Sequence, residues 1–89
     1  MDVINNRALG QFEVGVSGGQ GFLRYRIEGG TILLLYVEVP PEAQGGGVAA
    51  EITRTALEFA RQEGLKVIPI CGYAAAWLRR SPEFRDLVG

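Results

Sequence analysis

Residues Glu38 to Ala49 read Glu-Val-Pro-Pro-Glu-Ala-Gln-Gly-Gly-Gly-Val-Ala, and the structural pattern of the chain changes across them. Pro40 and Pro41 end an apolar run, because proline cannot donate to a strand ladder. A helical pattern begins after the glycines. The first amides of a helix lack internal partners and carry the positive end of its dipole, and glycines there let an anion approach the backbone. This segment therefore predicts a strand, a turn and an anion-binding helix start, although a flexible turn before a core helix would show the same residues.

The residues before this segment predict three strands. Gln11–Val16 alternates polar and apolar residues, and Phe22–Ile27 follows after a turn at Ser17–Gln20, which predicts a hairpin. Thr31–Val39 is rich in β-branched and large apolar residues, so we expect a third strand that is covered on both faces.

The residues after it predict a helix, a strand and further helix. From Gly46 to Glu63, apolar residues recur at spacings of three and four, and Gly64 is a natural helix end. Leu65–Ile70 should form a fourth strand and Ala74–Arg80 a second helix, with a short helix opening at Pro82. The predicted fold class is α+β: one domain over residues 1–89, with an antiparallel three-strand meander, a crossover helix, a parallel fourth strand and C-terminal helices.

Composition limits the function. The 89 residues include 9 basic and 10 acidic side chains, a net charge of -1, which argues against nucleic-acid binding. Arg79 and Arg80 are expected at a solvated helix end. No segment is long and apolar enough for a membrane span or a signal peptide, and Cys71 is the single cysteine, so we expect a cytoplasmic protein. A chain of this size has a thin stability margin that dimerisation would offset, so we expect either a monomer or a homodimer. The absence of histidine excludes Ser/His and Cys/His catalytic pairs and leaves no metal site expected.

Gln44-Gly45-Gly46-Gly47-Val48-Ala49 fits the Gln/Arg-x-x-Gly-x-Gly/Ala signature of the GNAT acyltransferases, and the chain resembles their short, single-domain YJDJ-type subfamily from about Phe12 to Val88. The resemblance implies a minimal N-acetyltransferase that uses acetyl-coenzyme A as co-substrate and an unidentified amine as acceptor. The chain departs from the subfamily pattern at Tyr36-Val37, Gly72 and Ser81. Tyr36 and Ser81 stand where the subfamily usually carries histidines. The residues expected by this resemblance to bind the cofactor are Val37, Val39, Gln44, Gly45, Gly46, Gly47, Val48 and Ala49.

Three residues are candidates for the chemistry. The resemblance implies that Glu38 acts as general base, directly or through water; the alternatives are an ordinary polar residue at a strand end or a partner for an arginine. Cys71 would be a nucleophile, line the pocket, or be a small buried residue. By the same resemblance Tyr73 would protonate the leaving thiolate, and otherwise it would be an aromatic packing residue. Tyr36 and Trp77 are expected in the core or against the cofactor.

Three functions remain open at this point. The first is an N-acetyltransferase, the second is a module that binds or senses acyl-coenzyme A without turnover, and the third is an interaction domain whose glycine loop binds nothing. The chain is too short for the helices that usually wall the acceptor site in longer members of the superfamily. An open acceptor site, suited to an exposed protein or peptide amine, or one completed by a second subunit, would follow.

Overall fold

The computed structural model describes residues 1–89 and contains one five-stranded sheet in the order β1-β2-β3-β4-β5. Strands β1 to β4 are antiparallel neighbours, and β4 and β5 are parallel. The elements are β1 (Ile4–Asn6), β2 (Gln11–Val16), β3 (Gly19–Glu28), β4 (Thr31–Glu38), a 3₁₀ helix (Pro41–Ala43), α1 (Val48–Gln62), β5 (Lys66–Pro69), α2 (Gly72–Arg79) and a second 3₁₀ helix (Pro82–Leu87).

The predicted α+β architecture is confirmed, with α1 as the crossover between the parallel strands β4 and β5. Two details differ. The N-terminal strand β1, which pairs with β2, was not predicted, because three residues carry no readable period. The turn between β2 and β3 is also shorter than expected and contains only Ser17 and Gly18.

Both α-helices pack on one face of the sheet. Phe59 of α1 lies 5.5 Å from the ring of Phe12 in β2, measured between ring centroids. Leu78 of α2 belongs to the same cluster of 16 buried apolar residues as the inward side chains of α1. The guanidinium of Arg54 in α1 stacks 5.2 Å above the ring of Trp77 in α2. The domain is therefore two layers thick, which agrees with a shortest dimension of 19 Å.

The other face of the sheet is open, so the prediction that β4 is covered on both faces was wrong. Ile32 and Leu34 are buried in the core, whereas Leu33 between them is outside it. Tyr36 is 41% exposed rather than part of the core. We name this surface the free sheet face, and its principal side chains are Phe22, Arg24, Leu33, Tyr36 and Ile68.

The C-terminal end of α1 is closed by its own chain. Gly64, with φ +69°, adopts the left-handed conformation that commonly follows a helix. The amide of Leu65 donates to the carbonyl of Ala60 at 2.8 Å, and the amide of Gly64 donates to the carbonyl of Arg61 at 3.2 Å. These two bonds form a Schellman motif, so the expected helix stop at Gly64 is confirmed with its mechanism.

The last segment is tied to α1 by charged side chains that we name the C-terminal ion-pair cluster. Arg54 pairs with Glu83 at 3.2 Å, and Arg61 pairs with Asp86 at 3.0 Å. Both arginines also stack over the ring of Phe84. The hydrogen bond from Arg61 holds the pKa of Asp86 below its ordinary value of 3.8.

Candidate functional site

The N-terminal end of α1 carries a run of free backbone donors. Gly47 occupies the N-cap position with φ 82°, and no side chain caps the helix. The amide of Glu51, which donates to the carbonyl of Gly47 at 3.0 Å, is the first of the helix to find an acceptor. The amides of residues 45–50 donate to no acceptor within the chain. These consecutive donors, together with the helix dipole, make this end of α1 suited to an anion.

The glycines of the loop serve its backbone conformation and not its packing. Gly45 and Gly47 have φ values of 87° and 82°, a region that side chains with a Cβ rarely adopt. A Cβ added at either position would meet no atom within 4 Å. Gly46, whose φ is not positive, would only make ordinary contact with the carbonyl of Ala43. The space in front of the loop is therefore open to a ligand.

A cavity of about 260 Å³ lies against this loop. The side-chain amide of Gln44 donates to the carbonyl of Val39 at 3.1 Å and so ties the loop to the end of β4. Of the predicted cofactor residues, only Val37 and Gly46 do not line the cavity. Its lining consists of Val39, Ala43, Gln44, Gly45, Gly47, Val48, Ala49 and Tyr73.

No lysine or arginine lines this cavity. Any positive potential that it offers to a phosphate must come from the free amides and the dipole of α1. The glycine-rich segment was sufficient to predict an anion site made of backbone amides. The position of Ala43 in the cavity lining was not predicted, because an alanine side chain has no group that indicates binding.

The strands β4 and β5 separate beside this cavity. Their last register pair is Leu34 and Pro69. The amides of Ile70 and Cys71 both donate to the carbonyl of Leu34, at 3.0 and 2.9 Å, and the chain then turns into α2. The register of β3 against β4 also shifts here, which leaves Leu35 as an extra residue in β4. From Leu35 to Glu38, β4 has no strand on this side, and we name the gap the β4–β5 opening.

Glu38 lies at the end of β4, on the side of the sheet that carries Tyr36. Its register partner is Phe22, and its carboxylate is exposed and forms no ion pair. Val37 and Val39, the neighbours of Glu38 in sequence, instead pack against the core. Glu38 therefore borders the β4–β5 opening from the free sheet face and does not line the glycine-loop cavity.

Cys71 occupies the N-cap position of α2, at the other border of the β4–β5 opening. It is partly buried and packs against the core, and it does not line the glycine-loop cavity. The structure thus places Cys71 beside the opening without bringing it to the loop.

Tyr73 is the candidate catalytic residue that the structure brings directly to the glycine loop, because it lines the same cavity. Burial raises the pKa of its hydroxyl above the ordinary value of 10.0, although the charge of nearby Arg80 acts in the opposite direction. The hydroxyl therefore keeps its proton at neutral pH and can donate it.

Two further observations concern other chemistries. No group of three or more Cys, Asp or Glu side chains is placed to hold a metal ion. No helix has the length and apolar character that crossing a bilayer requires.

Comparison with known proteins identifies the family to which the chain is similar. The family model described as GCN5-related N-acetyl-transferase matches residues 11–87. The chain is 31% identical over 85 residues to the protein NATD1 of Gallus gallus, covering 92% of this chain and 77% of that one. It is also 31% identical to NATD1 of Mus musculus over 83 residues. The solution structure of a GCN5-like N-acetyltransferase from Staphylococcus aureus matches the fold with a TM-score of 0.73 at 19% identity, covering 99% of this chain and 87% of that one.

Proposed function

This chain belongs to the GCN5-related N-acetyltransferase family, and on that basis we propose that it binds acetyl-coenzyme A at the glycine loop and transfers the acetyl group to an amine. The observation that carries the proposal is the run of free amides at residues 45–50, which faces a cavity without a side-chain cation. A pyrophosphate needs several converging donors, and backbone amides at a helix start supply them.

The fit of this loop to a coenzyme A pyrophosphate rests on space as well as on donors. Gly45 and Gly47 leave open volume where any Cβ would stand. The apolar side chains of Val39 and Val48 offer a wall for the uncharged arm of the cofactor. The β4–β5 opening, which begins beside this cavity, offers an edge of β4 without a strand partner to the thioester. Backbone donors near Val37 are therefore the candidate stabilisers of the carbonyl oxygen.

The reaction requires the amine to lose a proton and the leaving thiolate to gain one. The amine nitrogen forms a bond to the thioester carbonyl carbon and gives up its proton, the C–S bond breaks, and the thiolate is protonated. We assign the first proton to the carboxylate of Glu38, directly or through a water, because Glu38 has no competing ion-pair partner. We assign the second proton to the hydroxyl of Tyr73, which shares the cavity with the loop.

The two assigned residues approach the opening from opposite sides. Tyr73 lies on the helix-covered side, with the glycine loop, and Glu38 lies on the free sheet face. The acceptor amine would therefore reach the thioester from the free sheet face, where no helix covers the aromatic pair of Phe22 and Tyr36. Such an uncovered approach suits an amine exposed on a protein or a peptide.

Turnover of acetyl-coenzyme A with a lysine-containing peptide, followed by mass spectrometry of the peptide, tests the proposal. Glu38→Gln should lower kcat by about 100-fold while sparing cofactor affinity, because it removes the base and leaves the loop intact. Glu42→Gln, an exposed carboxylate change on the neighbouring 3₁₀ helix, is the matched control. Binding without transfer to any amine would support a non-catalytic acyl-coenzyme A module instead.

The same assay separates direct transfer from a cysteine route. Direct transfer requires no acyl-enzyme, so Cys71→Ala should keep turnover within a few-fold of the unaltered chain. A loss of about 100-fold in that variant, together with an acetyl adduct that disappears with the thiol, would assign Cys71 the role of nucleophile.

A further inference from the structure

A second cavity, of about 290 Å³, lies behind α2 and is separate from the glycine loop. Six residues line it: Pro69 of β5, Ala75, Leu78 and Arg79 of α2, and Arg85 and Val88 of the C-terminal segment. An α-helix turns about 100° per residue, so Ala75, Leu78 and Arg79 lie on the side of α2 opposite to Tyr73. The acetyl-transfer site described above therefore does not account for this cavity.

The charges at this cavity are unbalanced. Arg54 and Arg61 are engaged with Glu83 and Asp86, the acidic residues of the last segment. Arg79 and Arg85 have no acidic partner, no hydrogen bond and no aromatic ring beneath them. Two of the residues that line the cavity thus carry free guanidinium groups, although the whole chain carries a net charge of -1.

The remaining lining is apolar. Of the apolar lining residues, Leu78 is buried and Val88 is 47% exposed. Val88 is held in place because it bridges to Val67 of β5 and because the amide of Gly89 donates to the carbonyl of Val67 at 3.2 Å. The wall formed by the C-terminal segment is therefore attached to the sheet.

From this combination we propose that the cavity behind α2 binds a small amphiphilic carboxylate. The carboxylate would pair with the guanidinium groups of Arg79 and Arg85, which present paired donors to carboxylate oxygens. Its aliphatic body would lie against Leu78 and Val88, removing apolar surface from water. The proposal does not depend on acetyl transfer, and it gives Arg79 a role beyond that of a solvated helix end.

Titration of the ¹⁵N-labelled full chain with octanoate, followed by NMR, tests this site. Saturable shifts are expected at the amides of Leu78, Arg79 and Val88, with none at residues 45–50. Octanol, which keeps the apolar body and lacks the charge, should bind at least about tenfold more weakly. Octanoate shifts at residues 45–50 alone, or no saturable shifts, would overturn the proposal.

Substitutions of Arg79 and Arg85 test whether octanoate binding depends on their positive charges. Replacing both arginines, by Arg79→Gln and Arg85→Gln, should weaken octanoate binding by at least about tenfold, and the conservative pair Arg79→Lys and Arg85→Lys should retain part of it. Arg80→Gln is the matched control, because Arg80 is also unpaired but interacts with Tyr73 on the other side of α2. Equal weakening in the control would reduce the effect to net charge and contradict a defined site. A dispersed amide spectrum confirms that each variant is folded.

Discussion

The two ends of helix α1 are built in opposite ways. At the C-terminal end, Gly64 and Leu65 return their amides to the carbonyls of Arg61 and Ala60 in a Schellman motif. At the N-terminal end, six consecutive amides from residues 45–50 have no acceptor in the chain. Both ends use a glycine with positive φ, at Gly47 and Gly64. The same residue type thus completes the helix at one end and leaves it open to a ligand at the other.

The difference has a thermodynamic meaning. Because the N-cap of α1 is Gly47, the open helix start forgoes only a few tenths of a kcal/mol relative to a serine, threonine or aspartate N-cap. The stability cost of leaving this end open is therefore small, and its free amides remain available to a ligand. The C-terminal end, in contrast, adds a charged cluster to a closed backbone, and so contributes to stability alone.

The largest expected effect comes from adding the same side chain at both ends. Gly47→Val and Gly64→Val each force a β-branched residue into positive φ, so each should lose about 1–3 kcal/mol of unfolding free energy. Only Gly47→Val also distorts the free amides, and its affinity for acetyl-coenzyme A should fall by about 10- to 100-fold. Calorimetric titration and thermal unfolding measure both quantities. Equal affinity losses in the two variants would show that the two ends do not differ in function.

A charge placed at the open end should separate stability from binding. Gly46→Asp puts a carboxylate beside the positive end of the helix dipole, which should stabilise the fold by about 0.3–1 kcal/mol. The same carboxylate competes with and repels a pyrophosphate, so affinity for acetyl-coenzyme A should fall by about tenfold. Gly46→Ala is the control, because its Cβ would only touch the carbonyl of Ala43 at 3.6 Å. Unchanged affinity in Gly46→Asp would count against anion binding at this helix end.

Features that depend on neighbouring residues could be predicted from the sequence, and features that depend on distant residues could not. The glycine loop and the stop at Gly64 were predictable, because both depend on local backbone preferences. The pairing of Arg54 with Glu83 and the short strand β1 depend on residues distant in sequence, so no local pattern announced them. The covering of β4 was mispredicted, because an apolar run does not reveal whether its second face finds a partner.

For the candidate catalytic residues, the sequence indicated which residues to consider but not where they lie. Glu38, Cys71 and Tyr73 were chosen by family resemblance and chemical type. Only a structure could place Tyr73 in the cavity of the loop and Glu38 on the free sheet face, because the bulge at Leu35 decides which side each residue of β4 takes.

A smaller effect is expected from the side chain that ties the loop to β4. Gln44→Ala removes the 3.1 Å bond from the Gln44 side chain to the carbonyl of Val39, and a loosened loop should bind acetyl-coenzyme A about 2- to 10-fold more weakly. Gln62→Ala, at the opposite end of α1, is the matched control and should leave affinity unchanged. If both variants bind like the unaltered chain, Gln44 has no part in ordering the loop.

The smallest effect belongs to the closed end and should appear in stability alone. Because Arg61 lowers the pKa of Asp86, their pair stabilises the fold above the ordinary aspartate pKa of 3.8, and this contribution is lost as pH falls through the depressed value. Arg61→Gln should therefore lower Tm slightly at neutral pH, and the difference from the unaltered chain should shrink in strong acid, where only the contacts of Arg61 with Phe84 and the carbonyl of Glu83 remain. Thermal unfolding across this range, with acetyl-coenzyme A affinity as a second readout, checks the expectation. A Tm difference that grows on acidification would have the wrong sign.

The central claim is that the free amides at the start of α1 hold the pyrophosphate of acetyl-coenzyme A. The most direct test is an amide NMR titration of the ¹⁵N-labelled chain with acetyl-coenzyme A. We predict the largest saturable shifts at residues 45–50, unchanged signals at Gly64 and Leu65, and loss of the response in Gly47→Val. Binding with no perturbation of residues 45–50, or no binding at millimolar cofactor, would contradict the claim.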